Sequence, residues 1–241
     1  MSRAPWFGEL YLASTADLLT PGLSALEAQV ISRLLDLRPG ERVLDAGCGH
    51  GRHLAALGGR GLVLVGVDRS RETLRLAAAT PGLVQADLGA LPFGPAFDAA
   101  YSWYSSLFLF DEGGNRAALA ALAGALRPGG RLLVQHANPL ALARQPVART
   151  RRDLPGGGFV EEVARFDPAR GCEDLERRLT RQGRVLAGSC RLRYYSPLEW
   201  HELARGAGLG APRLASSGPG GVAVPFGEDS IDLIAVLEKP K

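Results

Sequence analysis

The residues whose types and spacing can do chemistry concentrate near position 45. Val43-Leu-Asp-Ala-Gly-Cys-Gly-His-Gly-Arg-His53 runs from an apolar stretch into Asp45 and then Gly47, Gly49 and Gly51. Glycines at that spacing permit a tight turn and let a ligand lie against the backbone, and a helix that follows aims its free N–H groups at the same place. A dinucleotide fingerprint, G-x-G-x-x-G, needs its third glycine at position 52, which is Arg. The spacing therefore argues against a pyrophosphate cofactor and an NAD(P)-dependent oxidoreductase. Asp68 lies 19 residues after Gly49, where a carboxylate can accept hydrogen bonds from ribose hydroxyls. Asp87 closes a third apolar run and could take an exocyclic amine such as adenine N6. Any one of these carboxylates alone reads as a helix cap or turn residue. Three at the ends of successive runs, beside a glycine loop, read as a nucleoside site.

Such a site needs a frame. Short β-type runs at 42–45, 62–68, 83–87, 97–101 and 131–135 alternate with helix-like stretches that start near Arg52, at Arg71 after an apparent Ser70 N-cap, and at Arg116. That alternation predicts an α/β fold with a doubly wound parallel sheet. Ahead of it, Ser24-Ala-Leu-Glu27 has capping-box spacing and predicts a helix from Ser24 to about Leu37. After His136 the rhythm changes. Gly156-Gly-Gly158 precedes three β-leaning stretches near 159–166, 172–180 and 184–195, which predict a small antiparallel sheet inserted as a cap over 137–195. Ser196-Pro-Leu-Glu199 opens a further capped helix, and two closing strands near 212–216 and 230–237 flank a Gly/Pro loop at 218–221.

With these motifs in place the chain resembles the class I S-adenosylmethionine (SAM)-dependent methyltransferases. Asp45-Ala-Gly-Cys-Gly-His-Gly51 is similar to that family's D-x-G-x-G-x-G loop, Val65-Gly-Val-Asp68-Arg-Ser to its ribose-binding strand end, Gln85-Ala-Asp87-Leu to its adenine-side acid, and Leu126-Arg-Pro-Gly-Gly-Arg131 to the turn before its fifth strand. The resemblance implies a Rossmann-like seven-stranded sheet in the order 3-2-1-4-5-7-6 with strand 7 antiparallel. It divides the chain into an arm over 1–23, a core over 24–136 and 196–241, and the cap. It implies SAM as cofactor, with S-adenosylhomocysteine as product. The cofactor residues it implies are Trp6, Tyr11, Asp45, Ala46, Gly47, Gly49, Arg52, Asp68, Arg69, Asp87, Leu88 and Ser102. Likeness is greatest to small-molecule enzymes whose aromatic arm folds over the cofactor. Trp6 or Tyr11 would then face the sulfonium as a cation–π partner, or Trp6 simply packs an amphipathic arm.

Methyl transfer asks for a nucleophile in line behind the S–CH₃ bond, and an acceptor that arrives protonated would benefit from a base. His136, at the end of the fifth run, is placed for that role or is a satisfied strand-end histidine. Tyr101 and Tyr104, with Tyr194 or Tyr195 beneath the cap, are candidate substrate positioners. The chain lacks an Asn/Asp-Pro-Pro-Tyr signature, a cysteine near the fourth strand and any internal lysine, all of which turns the reading from nucleic acid toward a small-molecule acceptor. A methyltransferase on RNA or protein, a SAM-binding protein without turnover, and an NAD(P)-dependent oxidoreductase, disfavoured by Arg52, are the other readings.

Of 28 basic residues 26 are Arg, and the net charge is only +3 over 241 residues, a weak footprint for nucleic acid. Residues 144–193 hold 12 Arg against 7 acidic residues. That excess either attracts an anionic substrate or pairs across strands. Cys48, Cys172 and Cys190 are odd in number and lack metal-ligand spacing, so no metal site is expected and a reducing cytoplasm is. No apolar run of about 18 residues occurs, which predicts neither a signal peptide nor a membrane span. A monomer or homodimer is expected.

Overall fold

A computed structural model describes residues 6–77 and 82–241, so the first five residues of the expected arm lie outside the described residues. Helix α1 (Glu9–Thr15) precedes α2 (Pro21–Leu34). Then β1 (Arg42–Ala46), α3 (Arg52–Leu57), β2 (Val63–Asp68), α4 (Arg71–Leu76), β3 (Leu83–Gln85), β4 (Phe97–Ser102), α5 (Glu112–Ala125) and β5 (Leu126–Ala137) alternate as expected.

Helix α2 starts three residues earlier than its apparent capping box. Thr20 is the N-cap, its hydroxyl accepting the Leu23 N–H at 3.2 Å, and Pro21 occupies the first turn with its φ already helical. Ser24 and Glu27 therefore sit inside the helix and are free for other work. The box at Ser196–Glu199 does form: both reciprocal bonds are present at the start of α7 (Pro197–Gly206). Ser70 caps α4 as read.

The main sheet has the order β11-β10-β12-β5-β4-β1-β2-β3, where β10 is Arg213–Gly218, β11 Val222–Pro225 and β12 Asp232–Glu238. Strands β1 to β5 are parallel and β12 is antiparallel to β5 and β10. This is the expected 3-2-1-4-5-7-6 order with one addition. The Gly/Pro loop at 218–221 is a hairpin turn that leads into an eighth edge strand, β11. Gly221 makes the close approach: at φ +72° a Cβ there would stand 2.9 Å from the Leu26 carbonyl of α2.

Central strands bury both faces. Leu44, Ala100, Leu132 and Val134 face α5 and α7, whereas Val43, Tyr101, Leu133 and Ile234 face α2 and α3. Alternation along each strand thus feeds two cores.

The cap is a second antiparallel sheet of four strands rather than three: β6 (Val147–Asp153), β7 (Phe159–Asp167), β8 (Cys172–Arg181) and β9 (Arg184–Arg193). Helix α6 (Pro139–Arg144), capped by Asn138, leads into it. Helix α1 packs on this sheet, with Leu10 fully buried against Leu154, Val160 and Leu179. Arg152 pairs with Asp17, Arg184 with Glu9, and Arg177 donates to the Ser14 hydroxyl at 3.0 Å. Arm and cap are joined by both apolar and charged contacts. No helix among the described residues is long and apolar enough to cross a membrane.

Candidate active site

The C-terminal ends of β1, β2, β4 and β5 open into a cavity of about 570 Å³, roofed by the arm and the cap. That volume lies within the usual range for small-molecule sites. The glycine loop forms its floor. Gly47 and Cys48 donate their N–H groups to the Val67 carbonyl at 2.8 and 2.9 Å, which ties the loop to β2. Gly47 (φ +83°) permits no side chain, because a Cβ would come within 2.4 Å of the Ser106 Cβ. Gly49, by contrast, opens onto empty space, so its backbone is accessible to a ligand.

Asp68 closes β2 and is oriented by two backbone donors, the Gly49 N–H at 2.9 Å on one oxygen and the Ser70 N–H at 2.8 Å on the other. Each oxygen keeps a lone pair, enough for a vicinal diol. The loop and the carboxylate act as one rigid unit.

Arg52 opens α3 and points back at α2. Its Nη1 donates to Glu27 and to the Ser24 hydroxyl at 3.2 Å. The His53 ring shares the same Glu27 oxygen at 3.0 Å, and because a carboxylate only accepts, the proton sits on Nε2. Burial resists ionisation of Glu27, but the hydrogen bonds from His53 and Arg52 prevail and hold it below the usual carboxyl range. Burial keeps His53 neutral despite its carboxylate partner. Tyr104 lies under the Arg52 guanidinium at 5.0 Å. The other guanidinium nitrogen, Nη2, is buried and has no partner among the described residues.

Asp45 offers the complementary orphan. Its Oδ2 is buried without a hydrogen-bond partner, as is the Tyr101 hydroxyl beside it. Burial, opposed by Tyr101 and Arg52, raises its carboxyl to about 7. The two residues that carry a free guanidinium nitrogen and a free carboxylate oxygen, Arg52 and Asp45, therefore line one cavity. Together they match a zwitterion, such as the α-amino acid end of a ligand.

The structure brings Trp6, Tyr11, Asp45, Gly47, Gly49, Arg52 and Asp68 to the cavity. Arg177 of the cap stacks over the Trp6 ring at 4.4 Å, so in this arrangement the cation on that face is an arginine. Five other residues expected around the cofactor do not line it. Ala46 is buried within β1, Leu88 is packed in the core against α5, and Ser102 is buried at the end of β4. Arg69 gives its carbonyl to the Gln85 side chain, and Asp87 caps the turn that follows β3 through the Gly89 N–H at 2.8 Å. Asp87 stays close to the ligand end, since Gln85 two residues before it pairs with Asp68.

The three candidate catalytic residues lie outside the cavity lining. His136 is fully buried, donating from Nδ1 to the Ala137 carbonyl at 2.7 Å and accepting the Trp200 indole N–H on Nε2 at 2.9 Å. Burial drops its pKa to about 4. With both nitrogens engaged it is a satisfied core histidine, which replaces the reading of it as a base. The Tyr195 hydroxyl joins Glu112 and Asn115 of α5, each at 3.1 Å, and serves packing. Tyr101 sits beneath Asp45 in the core. Tyr194 does line the cavity, although its hydroxyl already donates to Glu173 at 2.9 Å.

Glu27, Gln135, Arg177 and Asp232 line the cavity without having been picked out from sequence. Only Glu27 had a signal, and it pointed to a helix cap. The cap's arginines pair mainly across strands: Arg151 with Glu161, Arg165 with Glu176, Arg177 with Glu162, Arg191 with Asp174. Arg177 alone of these four reaches the cavity.

Residues 43–130 match the family described as methyltransferase domain. An O-methyltransferase of Penicillium expansum is 39% identical over 106 residues, covering 39% of this chain and 37% of that protein. A demethylmenaquinone methyltransferase of Corynebacterium kroppenstedtii is 36% identical over 122 residues, 50% of this chain and 52% of that one. The chain thus spans about half or less of the length of these two relatives. Among solved structures, the CcbJ methyltransferase of Streptomyces caelestis superposes with a TM-score of 0.78 at 22% identity, covering 96% of this chain and 98% of the other. CalS10, a SAM-bound amino pentose methyltransferase of Micromonospora echinaspora, superposes at 0.69 and 21% identity over 99% and 100%. Residues 43–130 thus match a methyltransferase domain, and the superpositions show that the chain shares the fold of these structures, with the sheet order the motifs implied. The inserted cap is part of the shared fold, because these superpositions run over nearly the whole chain.

Proposed function

We propose that this chain is a SAM-dependent methyltransferase that moves the sulfonium methyl in line to an O, N or C nucleophile of a small-molecule acceptor. The observation that carries this reading is the pair of orphaned polar atoms, Arg52 Nη2 and Asp45 Oδ2, in one cavity with the glycine loop and Asp68. Arg52 would hold the carboxylate of the methionine moiety, Asp45 its ammonium, and Asp68 the ribose hydroxyls. When bound, SAM supplies an electrophilic methyl group. The chain's own residues orient and exclude water: the arm, through Trp6 and Tyr11, and the cap, through Leu175, Leu192 and Tyr194, cover the cavity. Alignment of two reactants in such a site is worth about 7–11 kcal/mol of barrier. His136, with both ring nitrogens engaged, is not the base of this reading.

Paired cap arginines favour a small acceptor over RNA, and one named relative is a demethylmenaquinone methyltransferase and one named neighbour an amino pentose methyltransferase. One chain's residues close the cavity, in keeping with a monomer or a homodimer of complete units. The three free cysteines suit a cytoplasmic setting.

Titration calorimetry with S-adenosylhomocysteine and with NAD tests the cofactor. We expect binding of the former alone, and its loss in Asp68→Ala; NAD binding, or unchanged affinity in the variant, overturns the reading.

A further inference from the structure

The cavity wall contains a segment whose backbone is held in an unfavourable shape. Tyr104 and Ser105 adopt φ of +57° and +58°, left-handed values that non-glycine residues avoid, and they do so consecutively. Something must hold them there. The Tyr104 N–H donates to Gln135 Oε1 at 2.8 Å and the Ser105 N–H to the Gln135 carbonyl at 3.2 Å, so a single residue of β5 takes both amides. Ser106 closes the turn by donating its hydroxyl to the Trp103 carbonyl at 3.0 Å.

An amide side chain can face two ways, and Asp232 decides which. Gln135 Nε2 donates to Asp232 Oδ2 at 3.1 Å. The same carboxylate accepts the Ser216 hydroxyl, the Ser217 N–H and the Ser217 hydroxyl at 2.7, 2.8 and 2.6 Å. A carboxylate so placed offers Gln135 an acceptor only, and a flipped amide would set oxygen against oxygen and an N–H against the Tyr104 N–H. Gln135 and Asp232 are both buried and both line the cavity. The segment they control touches the cofactor side twice: Ser106 occupies the space that a Gly47 side chain would need, and Tyr104 lies under Arg52.

We propose that Gln135, with its amide oriented by Asp232, is a positioning residue that pins the 103–106 strap against the glycine loop and Arg52 and so sets the shape of the methyl-donor site. The functional half of this proposal rests on the reading of the cavity given above. The linkage runs from β12 through β5 to the loop after β4, joining the antiparallel part of the sheet to its ligand loop.

The pair allows a reversal of polarity. Gln135→Glu keeps the acceptor for Tyr104 but sets a second carboxylate against Asp232. Asp232→Asn sets two amide donors against each other. In the double variant the new amide donates to the new carboxylate and the acceptors for the Ser216 hydroxyl, the Ser217 N–H and the Tyr104 N–H survive, while the Ser217 hydroxyl, which donated to Oδ2, turns to accept the amide's second N–H. Hydrogen exchange of the 103–106 amides, read by mass spectrometry, and S-adenosylhomocysteine affinity, read by calorimetry, are measured on all four proteins. Each single variant should lose about tenfold in both protection and affinity, the scale of one mispaired buried hydrogen bond, and the double variant should recover to within about threefold of wild type. Unchanged exchange of the strap in Gln135→Glu, or a double variant no better than the poorer single, overturns the proposal. Wild-type protein that shows the expected exchange pattern yet binds no S-adenosylhomocysteine overturns the cofactor reading and the functional half with it.

Discussion

Replacing Asp45 by Asn should change the pH dependence of stability more than it changes the fold. Burial raises the Asp45 carboxyl from 3.8 to about 7. Between those pH values the native chain holds a proton that the unfolded chain has released, so this group's contribution is complete below about pH 4 and is lost as pH rises through 7. At 1.36 kcal/mol per unit the span is worth up to about 4 kcal/mol. His136 works in the opposite sense: its pKa falls from 6.5 to about 4, so the stability it contributes is present above 6.5 and lost as pH falls through 4. The two slopes nearly cancel in the wild type between pH 4 and 6.5, and Asp45→Asn removes one of them. Urea denaturation at half-unit steps from pH 4 to 8 checks this. The variant should match the wild type near pH 4 and exceed it increasingly toward pH 8, by an amount on the order of the 4 kcal/mol above. A bound ammonium would favour the ionised carboxylate, so wild-type affinity for S-adenosylhomocysteine should climb with pH toward 7 while the variant binds weakly and loses that rise. A difference curve that stays flat from pH 4 to 8 refutes the assignment of Asp45 as a buried carboxyl awaiting a cation.

Gly47→Ala should cost roughly 2–4 kcal/mol of unfolding free energy by urea titration and abolish cofactor binding, since the new methyl meets Ser106 at a backbone angle that disfavours any side chain. Tyr195→Phe should cost roughly 1–3 kcal/mol, because it strands the buried Asn115 amide, yet leave S-adenosylhomocysteine affinity unchanged. A loss of affinity there would restore Tyr195 to the site.

Signals that are local in sequence have counterparts in the structure: Gly47, Gly49 and Asp68 line the cavity, and the Ser196 box forms. The glycine loop, Asp68 and the Ser196 box each involve contacts within a few residues or a strand-to-helix turn whose geometry is common to open α/β sheets. What escaped was set by distance along the chain or by competition between signals. Glu27 has the spacing of a cap because Ser24 precedes it by three, whereas Thr20-Pro21 starts the helix and leaves Glu27 to Arg52. Strand β6 carries no sequence signal because Val147–Asp153 is an exposed edge, rich in Arg, without the apolar alternation that marks a half-buried strand. His136 was drawn toward catalysis by its place at a strand end; the Trp200 indole that satisfies it is 64 residues away. The left-handed pair at 104 and 105 carries no glycine to announce it.

The bonds between arm and cap have a consequence for how the molecule is made. Asp17 finds Arg152 across 135 residues, Ser14 finds Arg177 across 163, and Glu9 finds Arg184 across 175. At the ribosome these segments emerge ahead of the cap and must wait for more than a hundred further residues before their partners exist. Leu10 and Trp6 stay bare of those partners throughout that interval, and the glycine loop with its neighbouring strands can form beneath an open mouth. The arm then settles after the cap has been made, so the roof over the cavity closes later than the glycine loop beneath it.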